Sequence, residues 1–254
     1  DTAALIQAGE LALVRGKEAR AKGDLAGAKA LFVRAAAALG EASPESEQLA
    51  FSLFHLGTIS AEQGQPAAAE KYLRRALAIY QVVGANSAEL AACLENLAKL
   101  VQNRGRFTEA VRHMERVVGI YRDLEPGSAN LARALAGLGI AHSLSGEFSL
   151  AEGFYDQALA LQEKADPESL DAGITLYNLA SALDQQGEEV RAKPNFERAL
   201  AIIEKQSPGS VLHGDVLASL GGVREATGDF AGAKELFQKA KQIYEKAAPK
   251  SDAI

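Results

Sequence analysis

Apolar residues fall at helical spacing in short runs, and glycine closes each run. From Ser46 onward, Leu49, Leu53, Leu56 and Ile59 recur every three or four positions until Gly64. Pro66 then opens a second run, at a helix position where its missing N–H costs little. Leu73, Ala76, Leu77 and Tyr80 give that run a buried stripe, which ends near Gly84. Ser46 precedes the first run and can cap it by accepting a backbone N–H. No stretch alternates apolar and polar residues as a half-buried strand would. The pattern predicts pairs of helices and an all-α fold.

The pair is repeated. Glycine recurs at Gly23, Gly64, Gly105, Gly146, Gly187 and Gly228, one every 41 residues. Ala28, Ala69, Ala110, Ala151, Ala192 and Ala233 keep the same beat, as do Ser46, Ser87, Ser128, Ser169, Ser210 and Ser251. A third column holds Gly16, Gly57, Ala98, Gly139, Ala180 and Gly221, and a fourth is large: Phe32, Leu73, Met114, Tyr155, Phe196 and Phe237. The phase divides the chain into repeats at approximately 5–45, 46–86, 87–127, 128–168, 169–209 and 210–250, with the start of a seventh at 251. A single helix pair cannot bury its own apolar face, so neighbouring pairs must stack into one solenoid domain spanning 1–254. Small columns let helix backbones approach, and the large column fills the space between repeats.

These columns resemble the tetratricopeptide repeat, clearest in LENLAKL (94–100), LYNLASAL (176–183), RRALAIY (74–80) and AKPNFERALAII (192–203). The usual period of that repeat is about 34; the longer spacing here, and Pro194 inside a helix, resemble the kinesin light chain type. The resemblance implies a right-handed superhelical solenoid of antiparallel helix pairs that serves as a protein-interaction scaffold. The end repeats depart from the pattern. Arg15 stands where later repeats have Leu56, Leu97, Leu138, Leu179 and Leu220, and the last helix is polar at Lys239, Lys241, Gln242 and Lys246.

Composition narrows the chemistry. The 27 basic and 33 acidic residues give a net charge of −6, which argues against the broad basic surface of a nucleic-acid binder. Charge is uneven: residues 1–40 carry +2, whereas residues 125–207 carry 13 acids against six bases. The acidic half would speed encounter with a basic partner or serve as a solvated face. No run of 18 apolar residues could span a membrane. The chain opens at Asp1 rather than Met, as a trimmed chain or one with a cleaved targeting segment does.

Signs of catalysis are missing. His55, His113, His142 and His213 are widely separated and lack metal-ligand companions, so no metal or cofactor is expected. Cys93 stands alone, outside any nucleophile motif, and reads as a buried inert thiol. Gly137 and Gly139 mimic the start of a dinucleotide fingerprint but fall inside a helix with no preceding strand.

The resemblance puts the first helix of each repeat along a concave groove. The candidate peptide-binding residues on those helices are Phe51, Phe54, His55, Asn96, Lys99, Arg133, Tyr177, Asn178 and Ser181. Asn is disfavoured inside helices, and its carboxamide both donates and accepts, so Asn96 and Asn178 could bracket the main chain of an extended peptide. Their alternative role is a solvated or locally bonded amide. Phe51 and Phe54 could anchor a ligand side chain or pack on the neighbouring repeat. Lys99 and Arg133 could meet an acidic group or form an ordinary wet surface. The chaperone-tail clamp of some relatives is not matched, because Phe54, Thr58 and Gly137 replace its required residues.

Two functions follow. One is a non-enzymatic scaffold holding a peptide segment of another protein in the groove. The other is a structural subunit docked permanently in a large assembly through its convex face or C-terminal end.

Overall fold

The computed structural model describes residues 1–84 and 86–247, which form twelve helices and no strand. They divide into two compact units, Asp1–Leu124 and a second unit beginning at Glu125. The connector register at Pro249 and Ser251 lies outside the described residues.

In the first unit, α1 (Thr2–Ala21) pairs with α2 (Leu25–Ala42), α3 (Glu47–Glu62) with α4 (Pro66–Val83), and α5 (Ala88–Gln102) with α6 (Phe107–Leu124). In the second, α7 (Ala129–Leu144) pairs with α8 (Phe148–Ala165), α9 (Leu170–Gln185) with α10 (Glu189–Gln206), and α11 (Val211–Ala226) with α12 (Phe230–Ala247). Within each unit, the second helix of a pair packs on the first helix of the next pair. The first helices also touch one another, α1 with α3 and α3 with α5, α7 with α9 and α9 with α11. They form one face of each unit.

Local chemistry sets each helix end. The turn glycines all take positive φ, from 68° at Gly64 to 86° at Gly228, a region other residues avoid. The residue after each glycine then donates back across the turn, as Gln65 does to the Ser60 carbonyl at 2.8 Å, closing the first helix. At the next helix start, Ser46, Ser87, Ser128, Ser169 and Ser210 each accept an N–H from three residues on. Pro194 lies early in α10, which continues through it unbroken. The carbonyl it leaves unbonded belongs to Val190, which is 85% exposed and can bond water.

The repeated columns build the core. Phe32, Leu73, Met114, Tyr155 and Phe196 are all buried between successive helices. Small residues lie against them: a Cβ on Gly57 would come within 2.6 Å of Leu73 Cγ. Phe237, in the same large column, departs from expectation and is 38% exposed, because no described helix covers that side of α12. Cys93 is fully buried and its thiol donates to the Leu73 carbonyl at 3.3 Å, joining α5 to α4.

Polar side chains fasten neighbouring pairs along the turns. Glu70 accepts from Arg74 at 2.8 Å and from Arg106 at 2.6 Å, and it also pairs with Arg104; Arg74 and Arg106 reach Glu109 as well. These hydrogen bonds hold the Glu70 carboxyl down at about 2. In the second unit Arg191 bridges Glu152 and Glu188, and Arg198 meets Glu163 at 2.8 Å.

Candidate functional site

The face made by first helices carries every candidate residue, and the two units present it differently. In the first unit, α3 places Phe51, Phe54 and His55 within two turns. The His55 ring lies nearly parallel to Phe32, with centroids 4.9 Å apart, while Phe51 and Phe54 meet it edge-on at 4.3 and 5.2 Å. Lys17 of α1 sits 4.0 Å over the Phe51 ring. Burial lowers the His55 imidazole to about 4, and the charges of Arg20 and Lys17 push the same way. Its Nδ1 is buried with no hydrogen-bond partner among the described residues. The neutral ring is therefore a wedge between α1/α2 and α3 as much as a surface group. Phe51 is half-buried against the core cluster of Ala28, Phe32, Leu56 and Ile59.

Asn96 lies two helices further along this face. Its side-chain amide donates to the Ala92 carbonyl at 2.8 Å, one turn back. The local bond leaves the Oδ1 acceptor and one amide hydrogen uncommitted. Asn96 lines a hollow of about 320 Å³ between α3 and α5, with Thr58, Glu62, Lys99 and Asn103. Lys99 is exposed and makes no ion pair among the described residues, whereas Glu62 is held by Arg20 at 2.6 Å.

In the second unit the corresponding hollow, about 290 Å³, opens between α7 and α9. Ile140, Leu144, Phe148 and Tyr155 supply its apolar walls, and Asn178 and Ser181 its polar ones. Ser181 spends its hydroxyl on the Tyr177 carbonyl at 2.8 Å, and Ser143 shares a hydrogen bond with the Tyr155 hydroxyl at 3.1 Å. Asn178 is half-buried and makes no side-chain hydrogen bond among the described residues. Tyr177 leans on Phe196 with ring centroids 5.9 Å apart and packs against the core of this unit. Arg133 is exposed and donates to Asn130 at 3.1 Å. Lys99 and Arg133 belong to different units.

Several lining residues are absent from the sequence-derived set: Leu13 and Lys17 in α1, and Asn103, Leu144 and Gln185 at helix ends. Lys17 was legible, since it occupies the column of Thr58, Lys99 and Ser181 one repeat earlier. Leu13 was legible in the same way, in the column of Phe54. Asn103, Leu144 and Gln185 sit two residues before a turn glycine, a column that the helical stripe alone does not mark. Among the described residues no three His, Cys, Asp or Glu side chains gather where they could hold a metal. Burial pushes the Cys93 thiol up to about 12, away from nucleophilic use.

The tetratricopeptide repeat model matches residues 18–81, 89–164 and 171–246, most of the chain. The protein belongs to the tetratricopeptide repeat family. Its fold is similar to that of BtubC (BKLC) from P. vanneervenii, with a TM-score of 0.71, 23% identity and 97% of each chain covered. It is similar also to a Podosopora anserina protein described as a kinesin light chain with nearly identical TPR-like repeats, at a TM-score of 0.66 and 22% identity over 82% of this chain and 98% of that one. A Rap protein solved in complex with competence and sporulation factor aligns at a TM-score of 0.56 and 16% identity, covering 92% of this chain and 74% of that one. No curated protein matches the sequence significantly. Among the described residues no helix is long and apolar enough to cross a membrane.

Proposed function

We propose that this tetratricopeptide scaffold is non-enzymatic and that its first-helix faces bind a peptide segment of another protein. Asn96 in the first unit and Asn178 in the second each offer a carboxamide to the main chain of a bound segment, and within each unit the half-buried aromatics and the hollow receive side chains. The observation that carries the reading is the Asn178 carboxamide. It is half-buried on the wall of a hollow with its donors and its acceptor bonded to no described protein group, so a peptide main chain can take the place of water there. The fold of the Rap protein solved with competence and sporulation factor supports the reading by analogy. The ligand is a polypeptide rather than nucleic acid, since the net charge is −6.

The test is capture of partners from source lysate by wild type and by Asn96→Ala/Asn178→Ala, read by mass spectrometry. Both positions are only half-buried, so helical content and melting should stay near wild type. A protein lost from the variant alone supports the reading; partners retained equally by both would sink it.

A second reading, a structural subunit docked permanently in a larger assembly, rests on α12. Phe230 is 68% exposed and Phe237 38%, an apolar face that another molecule could cover. Light scattering on the concentrated protein separates the two readings, because a lone monomer at high concentration argues against the second.

A further inference from the structure

The two hollows are the same place in the repeat. Thr58, Glu62, Asn96 and Lys99 line the first. Ile140, Leu144, Asn178 and Ser181 line the second, each two 41-residue periods after its counterpart. Leu73 and Tyr155 of the large column contribute to the walls in the same way. Both hollows therefore present a carboxamide at one position of a common frame, and the surrounding side chains differ. The first holds the Glu62 carboxylate and the Lys99 ammonium. The second has no charged side chain in its lining. Between α1 and α3 the Asn position is taken by His55, whose ring lies on Phe32, 4.9 Å away.

We propose that the second-unit hollow is a socket for an uncharged aliphatic side chain of leucine size, and that its equivalent in the first unit rejects the same side chain. This rests on the peptide-binding reading above and specifies what the segment must carry. Ile140, Leu144 and Phe148 offer apolar surface that a branched alkyl group would remove from water. The hydroxyls of Ser143, Tyr155 and Ser181 are already bonded within the protein, so the carboxamides of Asn178 and Gln185 are left to grip the main chain, with Asn178 at the position the two hollows share. A carboxylate or ammonium entering the socket would lose hydration and meet no counter-charge. In the first unit, an alkyl group would have to desolvate Glu62 and Lys99 instead.

The probe is N-acetyl-leucine N-methylamide, which carries one aliphatic side chain between two peptide groups. The glycine and glutamate analogues serve as comparators. The readout is the side-chain amide NMR signals of Asn178 and Asn96 in the full chain. The leucine compound should move the Asn178 signals at roughly tenfold lower concentration than the glycine compound, and should leave Asn96 unmoved. Leu144→Glu, at a 45% exposed position that the fold tolerates, should abolish the response. Thr58→Ile/Glu62→Leu/Lys99→Ser, which copies the second lining at all three positions, should transfer it to Asn96. The inference is overturned if the leucine compound leaves Asn178 unmoved, if glycine or glutamate matches it, or if Leu144→Glu responds like wild type. Should any of these occur while Asn96→Ala/Asn178→Ala still loses its captured partner, the socket assignment falls and the peptide-binding function stands.

Discussion

Gly139 lies under the ring of Tyr155, so close that a Cβ at position 139 would come within 2.6 Å of Cε1. The ring cannot easily give way, because its hydroxyl is tied to Ser143 at 3.1 Å and the side chain is buried. Gly139→Ala should therefore destabilise the protein. Overpacking costs about 1–3 kcal/mol, against a gain of roughly 1 kcal/mol in helix propensity. Adding Ser143→Ala frees the ring and should recover part of the loss. Urea unfolding of the two single variants and the double variant measures the coupling. Additive losses would show that the hydroxyl does not hold the ring.

Acid should loosen the joint between the second and third helix pairs. The Glu70 carboxyl is held at about 2 in the folded protein, below its ordinary value of 4.5. A depressed acid stabilises the fold above its unfolded pKa, and that contribution disappears as pH falls from 4.5 through about 2. Glu70→Gln should lower stability at neutral pH by about 1 kcal/mol, the scale of a partly exposed ion-pair network. It should also flatten the acid limb of the stability curve. Thermal melts across that range, with and without added salt, check both.

His55 gives the opposite chemistry with the same sign. Its ring is held at about 4 against an ordinary 6.5, so between those values the unfolded chain takes up the proton first. Stability should therefore fall as pH drops through that window, and His55→Gln should remove this part of the slope. The imidazole proton signals of His55 should titrate near 4; a midpoint near 6.5 would mean that the ring does not rest on Phe32.

Much of this was legible in the sequence. The glycine, alanine and serine beats mark the turns, close approaches and caps because each needs a particular residue type: positive φ, no bulk, or an oxygen acceptor. Side-chain choices made after the backbone is set were harder to read. His55 and Asn96 share a column, yet the imidazole stacks on Phe32 whereas the amide bonds the Ala92 carbonyl. Asn96 and Asn178 are identical in type and register, yet only the first spends a donor on its own helix. Phe237 reads as core by column, but burial depends on a neighbour that the column cannot supply.

Cys93 should be inert until the chain opens. Its thiol is fully buried, raised to about 12 and bonded to the Leu73 carbonyl. Its reaction with an aromatic disulfide reagent should therefore follow unfolding and rise steeply with urea. Labelling at the rate of a free thiol in native buffer would contradict the packing of α5 on α4.

The serine caps should be individually modest. Ser169→Ala should cost about 1 kcal/mol and Ser169→Gly only a few tenths, since the lost partner is the Ala172 N–H at 3.2 Å. Denaturant midpoints of the two variants give the comparison.

The even beat of the turn glycines makes the chain tolerant of large edits and intolerant of small ones. Excising one whole 41-residue period within a unit, from one glycine to the next, brings together two helices that already have the right faces. Removing a single residue from the middle of α9 would rotate the rest of that helix by about 100°, swinging Leu183 out of the core and a solvent-facing neighbour into it. Length in this protein behaves like copy number, counted in whole helix pairs.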